Sequence, residues 1–391
     1  MSKVHKQKVL MVHNYYQIPG GEDTVVANEK RLLEEHGHEV VLYTRHNDEL
    51  KSMGNLRKLG LPFTTIFNPR TYRDIKRIIK EEKIEIVHVH NTLNLISPAV
   101  YYAAVKMKVP VVQTVHNFRF LCPGATFYRD GRICEDCVIK GLKCAIKHKC
   151  YRNSRAQTLI CVISTWIHRH TGILGKINYI CLTEFNKEKL LQLRYIKPEN
   201  VFIKPNFTFV TIHDEGKNVV NEDGYYLYIG RIEKIKGLEV IMSAFTKIPD
   251  RKLKLAGTGT QIDEYKTKST KNIEFLDFLN RDQLRSEIEG CKAVIVASQW
   301  YETFGMIIVE AYESSRPVIV GDIGNVSSLV EDGKTGVKFL YNDSDSLVNA
   351  ICRFEEMDIH RLGNEGYKKY QKEFTPVANY KILEYVYNKI D

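Results

Sequence analysis

The sequence predicts an α/β protein with two doubly wound domains, each a parallel sheet with helices on both faces. Short apolar, β-branched runs recur along all 391 residues, and a helical pattern follows most of them. The runs lack strict alternation of polar and apolar residues, as expected of parallel strands that are buried on both faces. A chain of this length exceeds what one core usually supports, so two domains are the natural division.

The predicted strands form two sets of six. The first set is Val9–Val12, Val40–Tyr43, Ile84–Val89, Val109–Val115, Tyr179–Leu182 and Val201–Ile203. The second set is Tyr225–Ile229, Leu253–Ala256, Ile273–Leu276, Ala293–Ala297, Val318–Val320 and Val337–Leu340. The helical patterns between them include Asp23–His36, Leu238–Phe245, Asp282–Glu289 and Gly305–Ser314. Alternation of strand and helix predicts βαβ units.

The boundary between the predicted domains lies near Pro205, ahead of a polar, charged stretch over Thr211–Gly224. We therefore expect an N-terminal domain over residues 1–205 and a C-terminal domain over residues 206–375. Residues 376–391 should form a terminal helix that packs back on the first domain. In doubly wound domains, ligands bind at the carboxyl ends of the strands.

Charge and composition limit the class of protein. The formal net charge is +10, which favours an anionic partner such as nucleotide phosphates, an anionic membrane or nucleic acid. Nucleic-acid binders tend to interleave aromatic and basic residues on a small module, and we find none, which argues against that partner. No apolar stretch is long enough to span a bilayer, and the basic segment Met1–Lys8 lacks a following apolar signal region. The sequence predicts a cytoplasmic protein.

The strongest chemical signal is the segment Glu302-Thr-Phe-Gly305-Met-Ile-Ile-Val-Glu310. It follows a predicted strand and opens a helix at Gly305, and the free N–H groups of a helix N-terminus suit a diphosphate. If the helix covers most of the span, eight residues at the helical rise separate the two glutamates by about 12 Å, comparable to the reach from sugar to ribose in a nucleotide sugar. Taken alone, the spacing also fits a surface glutamate pair on an amphipathic helix.

A second signal is a pair of cations near the end of a strand. Gly230 and Arg231 directly follow the run Tyr225–Ile229, and Lys236 lies one short loop later. Arginine through its planar fork and lysine as a point charge can together bind a pyrophosphate. A solvated βα loop is the alternative.

Two further motifs follow strands of the first half. Gly20 and Gly21 allow the backbone to approach a phosphate or sugar closely, or they simply make a turn. His116 ends an apolar strand, where it either contacts a ligand or serves as a structural histidine. The sequence lacks the G-x-G-x-x-G fingerprint, which counts against a nicotinamide dehydrogenase.

In this order, the motifs resemble the large retaining glycosyltransferase family 4, which has the GT-B fold of two Rossmann-like domains facing across a cleft. The match extends over nearly the whole chain and includes Ala256-Gly257-Thr-Gly259 and Asp332-Gly333-Lys-Thr-Gly336. The resemblance implies transfer of a sugar from a nucleotide-sugar donor with retention of configuration and no metal in catalysis. It implies roles in catalysis or donor binding for Glu302, Arg231, Lys236, His116, Gly20, Gly21, Gly230, Phe304, Gly305 and Glu310.

By the resemblance, these residues would contact different parts of the donor. Arg231 and Lys236 would neutralise the diphosphate, Glu310 would bind the ribose, and Glu302 with His116 would contact the transferred sugar. The donor base stays open among UDP-, GDP- and dTDP-sugars, because Gly324–Ser328 and Leu276-Asp277 depart from the family pattern near the nucleotide. A nucleotide-sugar epimerase of the same fold, a basic nucleic-acid-binding protein and a catalytically idle scaffold are the alternatives.

A cysteine-rich, basic insertion over about residues 118–155 resembles one in family members that build bacterial surface polysaccharides. Its cysteines are Cys122, Cys134, Cys137, Cys144 and Cys150, which either bind a structural zinc ion or pack as thiols. The insertion and the helix-like segment Arg70–Lys83 are rich in lysine and arginine. The expected acceptor is a lipid-linked saccharide, met by peripheral binding to an anionic membrane.

Overall fold

The computed structural model describes residues 6–17, 20–209, 222 and 224–390. It divides into two compact units, the first comprising residues 1–127, 135–205 and 379–391, and the second residues 128–134 and 206–378. Residues 128–134 group with the second unit, although the strand pattern predicts them in the first domain. Pro19 and nearly all of the polar stretch at residues 211–224 lie outside the described residues.

The described part of the first 205 residues contains eight strands, nine α-helices and two short 3₁₀ helices. The strands are β1 (Lys8–Tyr15), β2 (Glu39–His46), β3 (Ile86–Asn91), β4 (Val111–Thr114), β5 (Tyr128–Arg129), β6 (Arg132–Ile133), β7 (Asn178–Cys181) and β8 (Val201–Ile203). The helices are α1 (Gly21–Glu35), α2 (Glu49–Ser52), α3 (Asn55–Ile66), α4 (Pro69–Glu81), α5 (Ala99–Met107), α6 (Asp136–Ile139), α7 (Lys143–Lys147), α8 (Arg155–His170) and α9 (Glu184–Leu191).

The first sheet is parallel throughout and has the order β2-β1-β3-β4-β7-β8. Val9 of β1 lies opposite Val40 of β2 and Ile86 of β3. The chain proceeds outward from β1 to β2 on one side and from β3 to β8 on the other. The loops after β1 and β3 therefore border a topological switch point, where ligands bind in open α/β sheets.

The second unit repeats this architecture. Its strands are β9 (Tyr226–Ile229), β10 (Leu253–Ala256), β11 (Ile273–Asp277), β12 (Ala293–Val296), β13 (Val318–Gly321) and β14 (Gly336–Phe339). Its helices are α10 (Leu238–Lys247), α11 (Ile262–Thr267), α12 (Arg281–Gly290), α13 (Met306–Glu313), α14 (Gly324–Leu329), α15 (Ser344–Glu355) and α16 (Ile359–Glu373). The order β11-β10-β9-β12-β13-β14 is parallel throughout and places the switch point between β9 and β12. The α/β prediction with two doubly wound sheets is confirmed.

The last helix, α17 (Pro376–Ile390), contributes to the core of the first unit. Leu383, Val386 and Tyr387 recur at helical spacing and pack with Val9 of β1 and Ile86 of β3. Burial of three such side chains contributes several kcal/mol, at about 1.5–3 kcal/mol each. None of the described helices is both long and apolar enough to cross a bilayer.

Candidate functional site

Two loops border the switch point of the second sheet, one after β9 and the other after β12. Gly237 brings them together, because it has a φ of +78° and an added Cβ would lie 1.9 Å from the Ala297 carbonyl oxygen. Only glycine permits this approach. The amide of Gln299 also donates to the Ile235 carbonyl at 2.9 Å. Lys236, at the end of a 3₁₀ turn, is thereby held beside the loop after β12.

Lys236 and Glu302 form an ion pair at this point. Lys236 Nζ lies 2.6 Å from Glu302 Oε1, and the two side chains are only 19% and 16% exposed. The Ser298 hydroxyl donates to the same carboxylate oxygen, and Lys236 Nζ lies 5.8 Å from the centre of the Trp300 ring. Burial alone would raise the pKa of Glu302, but Lys236 and Ser298 outweigh it and lower that pKa. Glu302 is therefore a carboxylate at neutral pH.

Arg231 is a more exposed cation of the same loop. Its side chain is 63% exposed, and its Nη1 donates to Glu233 Oε1 at 3.1 Å. The Arg231 carbonyl accepts a hydrogen bond from the Tyr228 hydroxyl at 2.7 Å, so the backbone is anchored. The side chain can reorient toward a ligand at small cost, since an exposed ion pair is worth at most about 1 kcal/mol.

Glu310 lies on α13, within a cavity of about 100 Å³ that is also lined by Arg281 and Thr208. Burial raises the pKa of Glu310 to about 7, with Glu313 adding repulsion and Arg281 opposing the shift. A carboxyl group balanced between its two protonation states near pH 7 is a functional-site candidate. Among the described residues, no hydrogen bond or ion pair joins Glu310 to Lys236 or Glu302.

The segment between the two glutamates is not wholly helical. α13 begins only at Met306, with Gly305 as its N-cap at a φ of +112°. The separation of about 12 Å assumed a helix over most of the segment from Glu302 to Glu310. That assumption does not hold, because residues 302–305 form a loop. Phe304 is buried and packs edge-on against Phe374 at 6.2 Å between ring centres. Its side chain belongs to the core, so only its backbone is available to a ligand.

In the first unit, His116 follows β4 and lines a cavity of about 90 Å³ together with Asn91, Asn117 and Arg119. His116 Nε2 lies 2.9 Å from His90 Nδ1. Burial lowers the pKa of His116 to about 3, so the ring is neutral.

The Gly-Gly loop precedes α1, which begins at Gly21. An added Cβ at Gly20 or Gly21 would meet nothing within 4 Å, so internal packing does not require glycine at either position. The Gly20 amide donates to Asp23 Oδ2 at 3.0 Å. Gly20 has an extended backbone with a φ of −122°, which any residue can adopt, so the turn does not require glycine there either.

The two departures from the family pattern have identifiable roles. Asp277 adopts a φ of +53°, a left-handed conformation that glycine takes most easily and aspartate tolerates. Asn325 on α14 donates from Nδ2 to the Glu302 carbonyl. Asn325 and Ser298 therefore orient Glu302. The sequence analysis named the segment that contains Asn325, without this role, and did not name Ser298. The placement of Ser298 just after β12 was the one available signal, since loops after parallel strands form ligand sites.

Two groups of ligand-type side chains lie close enough together to hold a metal ion in the described part of the chain. They are Glu29, His88 and His90, and His13, Glu22 and Asp23. Neither group includes a cysteine. In the insertion, Cys137 packs with Cys144 and Cys150 in a small apolar cluster, and burial raises the pKa of its thiol to about 12. Zinc binding at these cysteines stays an unsupported prediction.

Comparison with known proteins identifies two family models in tandem. The Glycosyltransferase Family 4 model matches residues 19–208, and the Glycosyl transferases group 1 model matches residues 210–370. An uncharacterized glycosyltransferase of Methanocaldococcus jannaschii is 24% identical over 388 residues, covering 94% of each chain. The phosphatidyl-myo-inositol mannosyltransferase of Mycolicibacterium smegmatis is 21% identical over 372 residues, covering 89% of this chain and 84% of its own.

The fold also matches a solved structure, that of Anabaena HepE in complex with UDP. The TM-score is 0.65 at 16% identity, and the match covers 97% of this chain and 100% of HepE. This likeness concerns the fold alone. The paired family models and the two parallel six-stranded sheets lead to one conclusion: the chain is a GT-B glycosyltransferase, built from a family 4 domain followed by a group 1 domain.

Proposed function

We propose that this enzyme transfers a sugar from a nucleoside-diphosphate sugar to an acceptor hydroxyl, with retention of configuration and without a metal ion in catalysis. The observation that carries the proposal is the Lys236–Glu302 pair beside Arg231 at the switch point of the second sheet. Two cations at that edge match a diphosphate, and a fixed carboxylate next to them matches the hydroxyls of a sugar.

The proposed mechanism assigns a separate task to each group. Lys236 and Arg231 stabilise the charge that develops on the diphosphate as the glycosidic bond breaks, which is electrostatic catalysis by preorganised groups. Glu302, ionised and held by Ser298, accepts hydrogen bonds from the transferred sugar. The donor phosphate takes the proton of the acceptor hydroxyl on the same face, so configuration is retained. The backbone at Phe304-Gly305 and the Gly20-Gly21 loop approach the donor. Gly230 leaves room for the Tyr228 hydroxyl, which anchors the Arg231 carbonyl.

A uridine nucleotide is the first donor to test, because the HepE structure contains UDP. GDP- and dTDP-sugars remain in the panel. The experiment incubates the protein with each nucleotide sugar, with and without a saccharide acceptor, and measures nucleoside diphosphate release and product configuration. We expect acceptor-dependent release and a product with the anomeric configuration of the donor. Release of a free epimer without acceptor would instead identify an epimerase, and an inverted product would overturn retention.

We further propose that Glu310 binds the ribose hydroxyls, which favours its ionised form. Because the pKa of Glu310 is about 7 in the donor-free protein, lowering the pH protonates it and weakens donor binding. We expect the donor Kd to rise about fivefold between pH 7 and pH 6 for one such group. Glu310→Gln should bind donor weakly at both pH values and lose this dependence. Isothermal titration calorimetry measures both effects.

The matched control is Glu274→Gln, at an exposed glutamate of the same unit. It should keep the wild-type affinity and pH dependence. A pH-dependent Kd that survives in Glu310→Gln would assign the titration to another group and remove Glu310 from the ribose site.

We propose a lipid-linked saccharide as acceptor, in bacterial surface polysaccharide synthesis, and a cytoplasmic enzyme that binds the membrane peripherally. The mannosyltransferase relative carries a phosphatidyl lipid in its name. In this chain, Leu159, Ile163 and Trp166 form an exposed apolar stripe along one face of α8. Leu59 and Phe63 are exposed on α3, which packs against α8.

Lys140 and Lys143 line one surface depression together with Trp166 of this stripe. Exposed lysines and arginines include Lys140, Lys143, Lys147, Lys149 and Arg155. On α4, Ile75 and Ile79 face inward, and Arg70 and Arg77 face solvent. An apolar stripe flanked by lysine and arginine is the pattern of a helix that lies in an anionic membrane interface.

The protein should therefore bind vesicles that contain phosphatidylglycerol, and less so as salt rises from about 0.1 M to about 0.5 M. The double variant Lys143→Glu/Lys147→Glu should bind at least about tenfold more weakly, because each cation near the surface contributes about 1 kcal/mol. Trp166→Asp should also weaken binding, whereas Val377→Asp, at an exposed apolar position on α17, should not. Vesicle co-sedimentation measures the bound fraction. Equal binding to neutral phosphatidylcholine vesicles would exclude electrostatic attraction.

A further inference from the structure

A line of buried polar side chains leads from His116 into the interior of the first unit. His116 Nε2 lies 2.9 Å from His90 Nδ1. The other nitrogen of His90, Nε2, lies 3.9 Å from Glu29 Oε2. The second carboxylate oxygen, Oε1, lies 3.4 Å from Lys204 Nζ. The side chains of Glu29, His90 and Lys204 are all fully excluded from solvent.

Lys204 supplies the cation of this cluster. Glu29, His88 and His90 are spaced as metal ligands are, but the Lys204 ammonium already faces Glu29 and also donates to Asn379 Oδ1 at 3.0 Å. A divalent ion on that carboxylate would meet the ammonium at close range. His88 uses both ring nitrogens, at 2.7 Å from the Tyr387 hydroxyl and 2.7 Å from the Thr114 hydroxyl. Glu29 is thus the anion of a buried ion pair. Its Oε2 lies beyond hydrogen-bond distance of His90 Nε2, but with no other hydrogen-bond partner on either atom among the described residues it is the charge that this nitrogen faces.

The negative charge of Glu29 decides which ring nitrogen carries the hydrogen in His90 and, through it, in His116. Burial lowers the pKa of His90 well below its ordinary value and that of His116 to about 3, so both rings are neutral. Each neutral ring has one N–H, and in the 2.9 Å contact one ring donates to the other. If His90 donated from Nδ1, its Nε2 lone pair would face the Glu29 carboxylate, which has no hydrogen to offer. With the hydrogen on Nε2, the His90 dipole is aligned with that charge.

We propose that Glu29 and His90 are positioning residues that hold His116 as the tautomer with a hydrogen on Nε2 and a lone pair on Nδ1. His116 Nδ1 has no hydrogen-bond partner in the described chain and is not among its buried unpaired atoms, so it is open to a ligand. His116 then accepts a hydrogen bond and does not donate one. Resting on the proposed function, this means that His116 recognises a sugar hydroxyl, which can give a hydrogen, and disfavours a phosphate or carboxylate oxygen, which cannot.

The test reads the tautomers directly and needs neither donor nor acceptor, so its outcome is independent of the proposed reaction. The full chain is labelled with ¹⁵N-histidine, and long-range ¹H–¹⁵N correlation spectra show which ring nitrogens are protonated. Spectra of His116→Gln and His90→Gln assign the signals. In the wild type, we expect His116 Nδ1 at the shift of an unprotonated nitrogen. A protonated Nδ1 in the wild type overturns the proposal, and this result does not depend on whether any variant folds.

Glu29→Gln gives the sharper result. Its amide oxygen should occupy the Oε1 position beside Lys204, which requires an acceptor, so its NH₂ group should face His90 Nε2. His90 then donates from Nδ1, and His116 Nδ1 should move to the shift of a protonated nitrogen. Glu29→Asp, which keeps the charge, and Glu34→Gln, on the exposed face of the same helix, should keep the wild-type pattern. An unchanged His116 signal in folded Glu29→Gln would overturn the relay.

Discussion

Lys236→Ala is expected to lower kcat by about 10²–10³, the usual effect of removing one preorganised charge donor from a transition state. The ammonium is largely buried, fixed by the Gly237 turn and 2.6 Å from Glu302 Oε1. It therefore needs little rearrangement when charge develops on the diphosphate. Because the interaction is stronger in the transition state than in the bound donor, donor affinity should fall much less than turnover. Single-turnover kinetics and donor titration measure the two quantities.

Lys234→Ala is the matched control. Lys234 lies in the same 3₁₀ turn, but its side chain is 62% exposed and pairs with Glu239 at 3.1 Å. Its loss should leave kcat unchanged. Lys236→Ala also leaves Glu302 without its cation, which destabilises the fold, so Glu302→Gln is combined with it. If Lys236 serves only the fold, the double variant Lys236→Ala/Glu302→Gln should regain stability and match the kcat of Glu302→Gln alone. A catalytic lysine predicts a stable double variant whose kcat lies well below that of Glu302→Gln.

The sequence predicts those elements of the fold that leave a recognisable local pattern of residues. Ala293–Ala297 and Val318–Val320 match β12 and β13 to within one residue, because a strand that is buried on both faces of a parallel sheet is itself a continuous apolar run. The hairpin β5–β6 was not predicted, since two-residue strands carry no such run. Its turn, Asp130-Gly131, has both residues at positive φ, and an Asp-Gly pair is the local signal that could have found it.

At the candidate site, local motifs predict individual residues but not the contacts between them. Lys236 and Glu302 were each identified from local motifs, yet their ion pair depends on Gly237 packing against Ala297. The buried pair of Glu29 and Lys204 joins α1 to the residue after β8, and nothing in either local sequence indicates the other. Contacts between distant segments are set by the sheet order. Spacing within one motif therefore predicts residue types at a site better than it predicts their partners.

Arg231→Ala is also expected to lower kcat by about 10²–10³. Unlike Lys236, Arg231 is not held in place before the donor binds. Arg231 is exposed and pairs only weakly with Glu233 in the donor-free protein. It must move onto the diphosphate, so part of its interaction forms on binding, and donor Kd should rise more than in Lys236→Ala. Arg231→Lys should recover only part of the loss, because an ammonium cannot make the bidentate contact of a guanidinium. Glu233→Gln, which removes the resting partner, should keep normal kcat.

The double variant Arg231→Ala/Lys236→Ala separates one shared phosphate site from two independent ones. If both cations act on the same diphosphate, the combined loss in kcat should be smaller than the product of the single losses, since groups that act as a unit are not additive. Independent effects would multiply. Circular dichroism and thermal unfolding confirm that each variant is folded before its kinetics are compared. Near-normal kcat in both folded single variants would reduce these residues to a solvated loop and refute the cation-pair mechanism.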